Sequence, residues 1–500
     1  MQFSLPIEFE DDTFPRNSLS RTSFSHDGVC PERERLNLEV QYADLLTETD
    51  EFDRRTVSFQ ANKKELVHGW IRYREGFSAE LVQSLLEKFN IGRGQKVLEP
   101  FCGSGTTLLV ANSLGIDATG IEVLPTCQLI WEAKSRAYRY KLEELSAIRN
   151  ELTKPVPSPA NVSFPHLRIT SGAFAEETEK KVMAYTSWLE KAKISEDARI
   201  LCRLVLASVL EEVSFTRKDG QYLRWDYRSK KVQEHNRLRE AKGRKPIKKL
   251  DKGVLPEVQE ALLSALDVVV SDIKKIQSFP PKGSMQTLLE GSCLEILPTM
   301  EADQYHAVIT SPPYCNRYDY TRTYALELAW LGVTDEGIRD LRQRLLSCTV
   351  ENRSKLSFLE EFYKSINATP RFDQSIDLIK GNPTYKEINS ALKERWARKE
   401  LNNRGVLSMV EGYFAEMTLV FSEIFRTSKS GGIVAFVNDN VRYGGEVIPV
   451  DLLTTNIAEA IGFEPLHVFV LRQRKGNSSQ QMKKFGREPL RKSITVWRKP

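Results

Sequence analysis

Two spacings of apolar residues alternate along the chain. Leu81, Val82, Leu85, Leu86 and Phe89 recur at helical intervals behind Ser78, a suitable N-cap. The short run Lys96-Val97-Leu98-Glu99 reads as a buried strand, and a second strand follows at Ala118-Thr119-Gly120-Ile121-Glu122. Between them, Gly103-Ser104-Gly105 marks a tight turn into a helix that carries Leu108, Leu109 and Val110. The pattern is then helical from about 141 to 284, with Ile200, Leu201, Leu204, Val205, Val209 and Leu210 on one amphipathic helix. A short strand and helical turn are predicted over 287–300, a strand at His306-Ala307-Val308-Ile309, and a short helix from Tyr324 to Leu331. Leu407, Val410, Phe414, Met417, Phe421 and Phe425 predict a long helix ending at Ser430-Gly431-Gly432, before the strand Ile433 to Val437. A helix near 452–461 and strands at 466–471 and 493–497 complete the pattern. Strands alternating with helices predict an α/β fold with a mostly parallel sheet, and the last two strands an antiparallel hairpin at its edge. Residues 1–60 are polar and irregular and read as an arm without nameable chemistry.

Composition narrows the class. A chain of 500 residues with 41% hydrophobic and 28% charged positions has ample material for a core. Its net charge of +5 is too mild to identify a partner. The seven cysteines are scattered without a CxxC pair, which argues against a zinc site or a disulfide framework and for a reducing, cytoplasmic setting. The amino terminus lacks a signal-peptide pattern, and no apolar run reaches the ~20 residues of a membrane helix.

Two strand ends carry the chemistry. The first is Glu99-Pro100-Phe101-Cys102-Gly103-Ser104-Gly105-Thr106-Thr107. Its glycines let backbone approach a ligand, and the helix after it presents free N–H groups. Glu122, at the end of the next strand, suits a ribose diol. A P-loop lysine and the full GxGxxG spacing are both missing, so neither a triphosphate nor a dinucleotide is expected. The second is Thr310-Ser311-Pro312-Pro313-Tyr314, where two prolines end a buried strand in a stiff corner. Alone, either stretch is equally well a structural turn.

Between the two lies a basic segment. From Ser214 to Gly253 there are 14 Lys and Arg against 5 Asp and Glu, with Phe215, Tyr222, Trp225 and Tyr227 interleaved. Basic side chains neutralise phosphates and aromatic rings stack on bases, which makes Arg217, Lys218, Tyr222, Arg224, Trp225 and Arg228 candidate DNA contacts. A solvated charged loop is the competing reading.

Together, the two corners resemble S-adenosylmethionine-dependent DNA amino-methyltransferases, and the Ser-Pro-Pro-Tyr form is the one typical of the cytosine-N4 type. The resemblance covers about 61–140, 285–335 and 405–500. It implies a Rossmann-like methyltransferase fold with a mostly parallel seven-stranded sheet, an antiparallel edge hairpin and largely helical insertions. It divides the chain into an N-terminal arm (1–60), a cofactor-binding part (61–140) and a basic insertion as target-recognition region (141–284). A catalytic part (285–335), a second insertion (336–404) and a C-terminal part (405–500) follow. The implied cofactor is S-adenosyl-L-methionine, without a metal. Glu99, Pro100, Phe101, Gly103, Ser104, Gly105, Thr106, Thr107 and Glu122 are its implied contacts, with Tyr73, Phe77 and Ser78 nearby. Glu99 stands where the family commonly has aspartate, in contact with the cofactor's amino-acid portion. Ser311, Pro312, Pro313 and Tyr314 are implied in catalysis on a flipped-out cytosine. The implied partners are double-stranded DNA and a restriction endonuclease or defence subunit. Adenine-N6 or RNA-base methylation, and a non-catalytic DNA-binding subunit, stay open as alternatives.

Overall fold

In the computed structural model, residues 19–53, 55–155, 162–219, 222–247, 250–472 and 483–500 are described. The extreme amino terminus, Gly220 and residues 473–482 of the polar loop lie outside them, as does the side chain of Tyr222. The strands are β1 (Leu46–Thr49), β2 (Lys96–Glu99), β3 (Asp117–Glu122), β4 (Thr216–Asp219), β5 (Tyr222–Trp225) and β6 (Gln286–Glu290). They continue with β7 (Tyr305–Thr310), β8 (Ser428–Asp439), β9 (Val441–Tyr443), β10 (Glu446–Ile448), β11 (Glu464–Leu471) and β12 (Lys492–Arg498).

Eight of these form one sheet in the order β1-β11-β12-β8-β7-β2-β3-β6. β6, β3, β2, β7 and β8 run parallel, and β12 is antiparallel to both neighbours. Seven strands are those of a Rossmann-like methyltransferase sheet. The eighth, β1, comes from the segment read as an irregular arm, and it pairs in parallel with β11, covering the edge formed by the hairpin. Its sequence, Leu-Thr-Glu-Thr, exposes the middle two side chains. So short and polar an edge strand carries no alternation that reveals it.

Successive strand residues point to opposite faces, so each central strand feeds two cores. Val97, Ala307, Ile309, Ala435 and Val437 pack under the helices Ala79–Lys88 and Thr106–Leu114. Leu98, Val308, Val434 and Phe436 pack under Gly405–Thr427 and Val450–Ile461. The first insertion packs its helices Leu142–Leu152, Glu176–Lys191, Glu196–Val213 and Val258–Ile276 into a core shared with the helix Pro125–Ser135 and with Tyr324 to Ala329, beside the β4–β5 hairpin. The weakly patterned second insertion is also helical: Asp335–Arg344, Leu356–Ser365, Thr369–Gly381 and Pro383–Ala397. Among the described residues, no helix is long and apolar enough to cross a membrane.

Candidate active site

β2 and β7 are neighbours in the sheet, so their carboxyl ends deliver the two sequence corners side by side. This is the position at which open α/β sheets bind ligands. After β2 the chain turns through Gly103, at φ +52°. A Cβ there would come within 2.8 Å of the Tyr73 ring, so glycine is required for both the turn and the close packing. The Gly103 N–H donates to Glu122 Oε2 at 2.7 Å, and Val123 and Leu124 N–H donate to Oε1 at 2.9 and 2.8 Å. Burial nevertheless pushes the Glu122 carboxyl up to about 7. Beneath the turn, the buried Lys134 ammonium donates to the carbonyls of Ser104 and His68 at 3.4 and 3.3 Å.

Glu99 does not face the cleft. It is 1% exposed and accepts from the Phe101 N–H at 3.2 Å, from the Thr107 hydroxyl at 2.9 Å and from the Thr310 hydroxyl. Burial pushes its carboxyl up to about 8. Glu99 therefore braces the two corners from behind the cleft, with Thr107 as a second brace. Gly105 packs against Trp131 and Ser78 caps the Ala79–Lys88 helix, accepting from Leu81 N–H at 3.1 Å. These four expected cofactor contacts thus act on the frame of the site.

The remaining expected contacts converge. Tyr73, Phe77, Pro100, Phe101, Gly103, Ser104, Thr106 and Glu122 line one cleft, and Ser311 and Pro313 close it from β7. Pro312 is buried beside them, and Tyr314 is half-buried. The Ser311 hydroxyl donates to the Tyr314 hydroxyl at 2.9 Å. Lys492 Nζ lies 5.3 Å from the centroid of the Tyr314 ring and 3.6 Å from Asp439.

Several lining residues are missed by sequence reasoning: Glu75, Tyr320, Ser292, Cys293 and the Arg344-Leu345-Leu346 segment. Ser292 and Cys293 follow Gly291 at the end of β6, a strand-end signal of the same kind as Gly103. Arg344 to Leu346 come from the second insertion, and nothing local in the sequence sends them here. The carboxyl groups of the wall are Glu75 and Glu122, both shifted upward by burial, and its one guanidinium is Arg344; the phenols of Tyr73 and Tyr320 and the thiols of Cys102 and Cys293 complete its ionisable groups.

The basic segment folds as the β4–β5 hairpin followed by the helix Lys230–Glu240, and the alternation of the hairpin sorts the candidate DNA contacts. Arg217 and Arg224 sit directly opposite each other and both are exposed. Lys218 points the other way. It is 3% exposed, pairs with Glu327, lies 3.8 Å from Glu211, and stands 4.6 Å over the Tyr324 ring. The structure thus corrects the expectation for Lys218: the strand period turns it into the core, where its charge is taken by carboxylates. Arg228 is held by Asp226 through hydrogen bonds of 2.8 and 2.9 Å, and this guanidinium keeps the Asp226 carboxyl down at about 2. Trp225 is half-buried under Lys231, whose Nζ is 4.4 Å from the ring centroid.

No family model matches the chain. Curated proteins do. The chain is 53% identical over 479 residues to the Type II methyltransferase M.BsoBI of Geobacillus stearothermophilus, covering 95% of this chain and 94% of that one. It is 39% identical over 505 residues to the Type II methyltransferase M.AvaI of Nostoc sp. (strain PCC 7120), covering 99% and 98%. A shorter likeness, 32% over 136 residues, joins it to the Type II methyltransferase M.MjaII of Methanocaldococcus jannaschii, over 26% of this chain and 25% of that one. With full-length likeness at these levels, and a cleft formed where the two motif-bearing strand ends meet, the chain belongs to the Type II methyltransferases.

Proposed function

We propose that the chain methylates the exocyclic N4 amine of a cytosine flipped out of double-stranded DNA, using S-adenosylmethionine, as the modification half of a restriction-modification system. The observation that carries this reading is the adjacency of the Ser-Pro-Pro-Tyr corner to the Gly-Ser-Gly corner across β7 and β2, both opening into one cleft.

The cleft fits the cofactor chemically. Glu122 retains lone pairs beyond its three backbone donors and can take a ribose diol, while Phe101, Val123 and Leu124 offer apolar wall to a nucleoside. S-adenosylmethionine, when bound, supplies a methyl group on a positively charged sulfur.

The chain's own residues prepare the nucleophile. An exocyclic amine is a poor one, because its lone pair is delocalised into the ring, and inside a duplex it is out of reach. Ser311 gives its hydroxyl proton to Tyr314, so its lone pairs are left to accept an amine N–H. The Pro312 carbonyl is the second acceptor at this rigid corner. Two such acceptors draw the amine towards a tetrahedral shape and aim its lone pair into the cleft. Tyr314 offers a face on which the extruded base stacks, and positioning then supplies much of the rate.

Arg217 and Arg224 are proposed phosphate contacts. They stand opposite each other on the exposed side of the hairpin, where one phosphate can meet both.

The test is to incubate the protein with methyl-labelled cofactor and, in separate reactions, duplex DNA or RNA, digest to nucleosides and identify the labelled product. Label in N4-methyldeoxycytidine is expected. Label in N6-methyladenine overturns the cytosine assignment, label only with RNA overturns the DNA substrate, and no label overturns the catalytic reading.

A further inference from the structure

By resemblance, Glu99 is the residue that meets the cofactor's amino-acid portion, and the geometry removes it from that role. Its carboxylate is enclosed by three donors and does not reach the cleft wall. The α-ammonium of a zwitterionic amino-acid end entering this cleft needs another anion. Glu122 already accepts three backbone N–H groups, and in the reading above its remaining lone pairs take the ribose diol. Arg344 has the wrong sign.

Glu75 is the remaining carboxylate on the wall. It follows Tyr73 and precedes Gly76, whose Cβ position lies 3.9 Å from the Ser104 hydroxyl, so it borders the same turn that Glu99 supports from behind. The Tyr318 and Tyr324 hydroxyls both donate to it, one to each carboxylate oxygen. Tyr324 is itself fixed by stacking on Tyr73, with centroids 5.3 Å apart and planes 18° apart, and by Lys218 over its ring. The carboxylate is thus rigidly placed, and two phenols leave it lone pairs to accept more. Each carboxylate oxygen has one phenol donor, which is too little to offset its withdrawal from water, and a bound cation would make up the difference.

We propose that the Glu75 carboxylate, held by Tyr318 and Tyr324, receives the α-ammonium group of the cofactor's amino-acid portion in place of Glu99. This rests on the S-adenosylmethionine reading above and names one contact within it.

Calorimetry with three ligands separates the two. S-adenosylmethionine and S-adenosylhomocysteine both carry the ammonium, whereas 5′-methylthioadenosine lacks the whole amino-acid portion. In Glu75→Gln, the first two are expected to lose roughly 10- to 100-fold in affinity, the scale of a charge-assisted hydrogen bond. The third is expected to bind as in the wild type. Glu75→Asp, which keeps the charge, should fall between wild type and Glu75→Gln for the first two ligands. Wild-type affinity for all three ligands in Glu75→Gln overturns the inference. So does a loss confined to S-adenosylmethionine, which would place Glu75 against the sulfonium, or an equal loss of all three, which would mark a collapsed cleft. If the wild type binds none of the three, the cofactor reading itself fails, and this contact with it. Thermal unfolding of both variants accompanies the titrations, and a Glu75→Asp variant that folds as wild type but loses binding as fully as Glu75→Gln also overturns the proposal.

Discussion

The Thr310 hydroxyl donates to the Glu99 carboxylate, so the last residue of β7 is tied to the last residue of β2. Each of these residues immediately precedes its own loop: Pro100 after Glu99, Ser311 after Thr310. The register of the Gly-Ser-Gly corner against the Ser-Pro-Pro-Tyr corner is therefore set by a buried side-chain contact in addition to the strand ladder.

Thr310→Val keeps the shape of the side chain and removes the donor. Glu99 then loses one of three hydrogen bonds in a buried site. We expect a loss of stability of about 1–3 kcal/mol, read by denaturant unfolding. Methyl transfer should fall more steeply than cofactor affinity, because the relative placement of the two corners is what changes. Unchanged stability would show that the contact is dispensable.

The buried Glu99 carboxyl carries a second consequence. Its ionisation is raised from an ordinary 4.5 to about 8 by burial, so the folded state binds a proton that the unfolded chain has released in between. Over that window the folded form binds more protons, and stability contributed by this group falls as pH rises. It is fully present below about 4.5 and lost through about 8. Other groups titrate in the same range, notably Glu122, so the quantity to measure is a difference. Glu99→Gln should gain in melting temperature relative to wild type on going from pH 5 to pH 8. A pH-independent difference would mean that Glu99 is ionised in the folded protein throughout.

Tyr314 is expected to separate chemistry from cofactor binding. The proposed stacking face is lost in Tyr314→Ala, and base–aromatic stacking is worth about 1–3 kcal/mol. Labelled methyl transfer should then drop roughly 5- to 150-fold or beyond, with S-adenosylhomocysteine affinity unchanged. Tyr314→Phe keeps the ring and removes only the acceptor of the Ser311 proton. It should retain DNA binding and lose rate alone. Parallel loss of cofactor affinity in both variants would make Tyr314 a structural residue.

The corners are legible in the sequence because each is local: a strand, a turn dictated by Gly103 or by Pro312-Pro313, and chemistry within five residues of the strand end. Glu122 is legible for the same reason. Glu75 is not, since what makes it a site residue is Tyr318 and Tyr324, more than 240 positions away. Glu99 shows the converse: its motif position is plain, but which way its carboxylate points depends on Thr310 and Thr107. Strand β1 escapes notice because two of its four side chains are polar and exposed, and only the partner β11 gives it a place. In the basic segment, composition identifies the charge, while the period of two in β4 decides which of those charges meet solvent.

That last distinction gives paired variants with opposite expectations. Arg217 is exposed, whereas Lys218 is buried against Glu327 and Tyr324. Arg217→Ala should leave unfolding within about 0.5 kcal/mol of wild type, as for most surface changes. It should weaken duplex DNA binding at every sequence and lower the salt slope, the exponent of affinity against salt concentration, by about 0.9 for a single lost phosphate contact. Lys218→Met removes the partner of a buried carboxylate, which costs about 3–5 kcal/mol, and should leave that slope unchanged in the fraction that remains folded. It should also loosen Tyr324, and through it Glu75, so that S-adenosylhomocysteine affinity falls although Lys218 does not line the cleft. Measuring DNA binding at several salt concentrations together with ligand binding distinguishes these outcomes. A lowered salt slope in Lys218→Met, with stability and ligand affinity intact, would return Lys218 to the DNA-contacting surface and refute its assignment to the core.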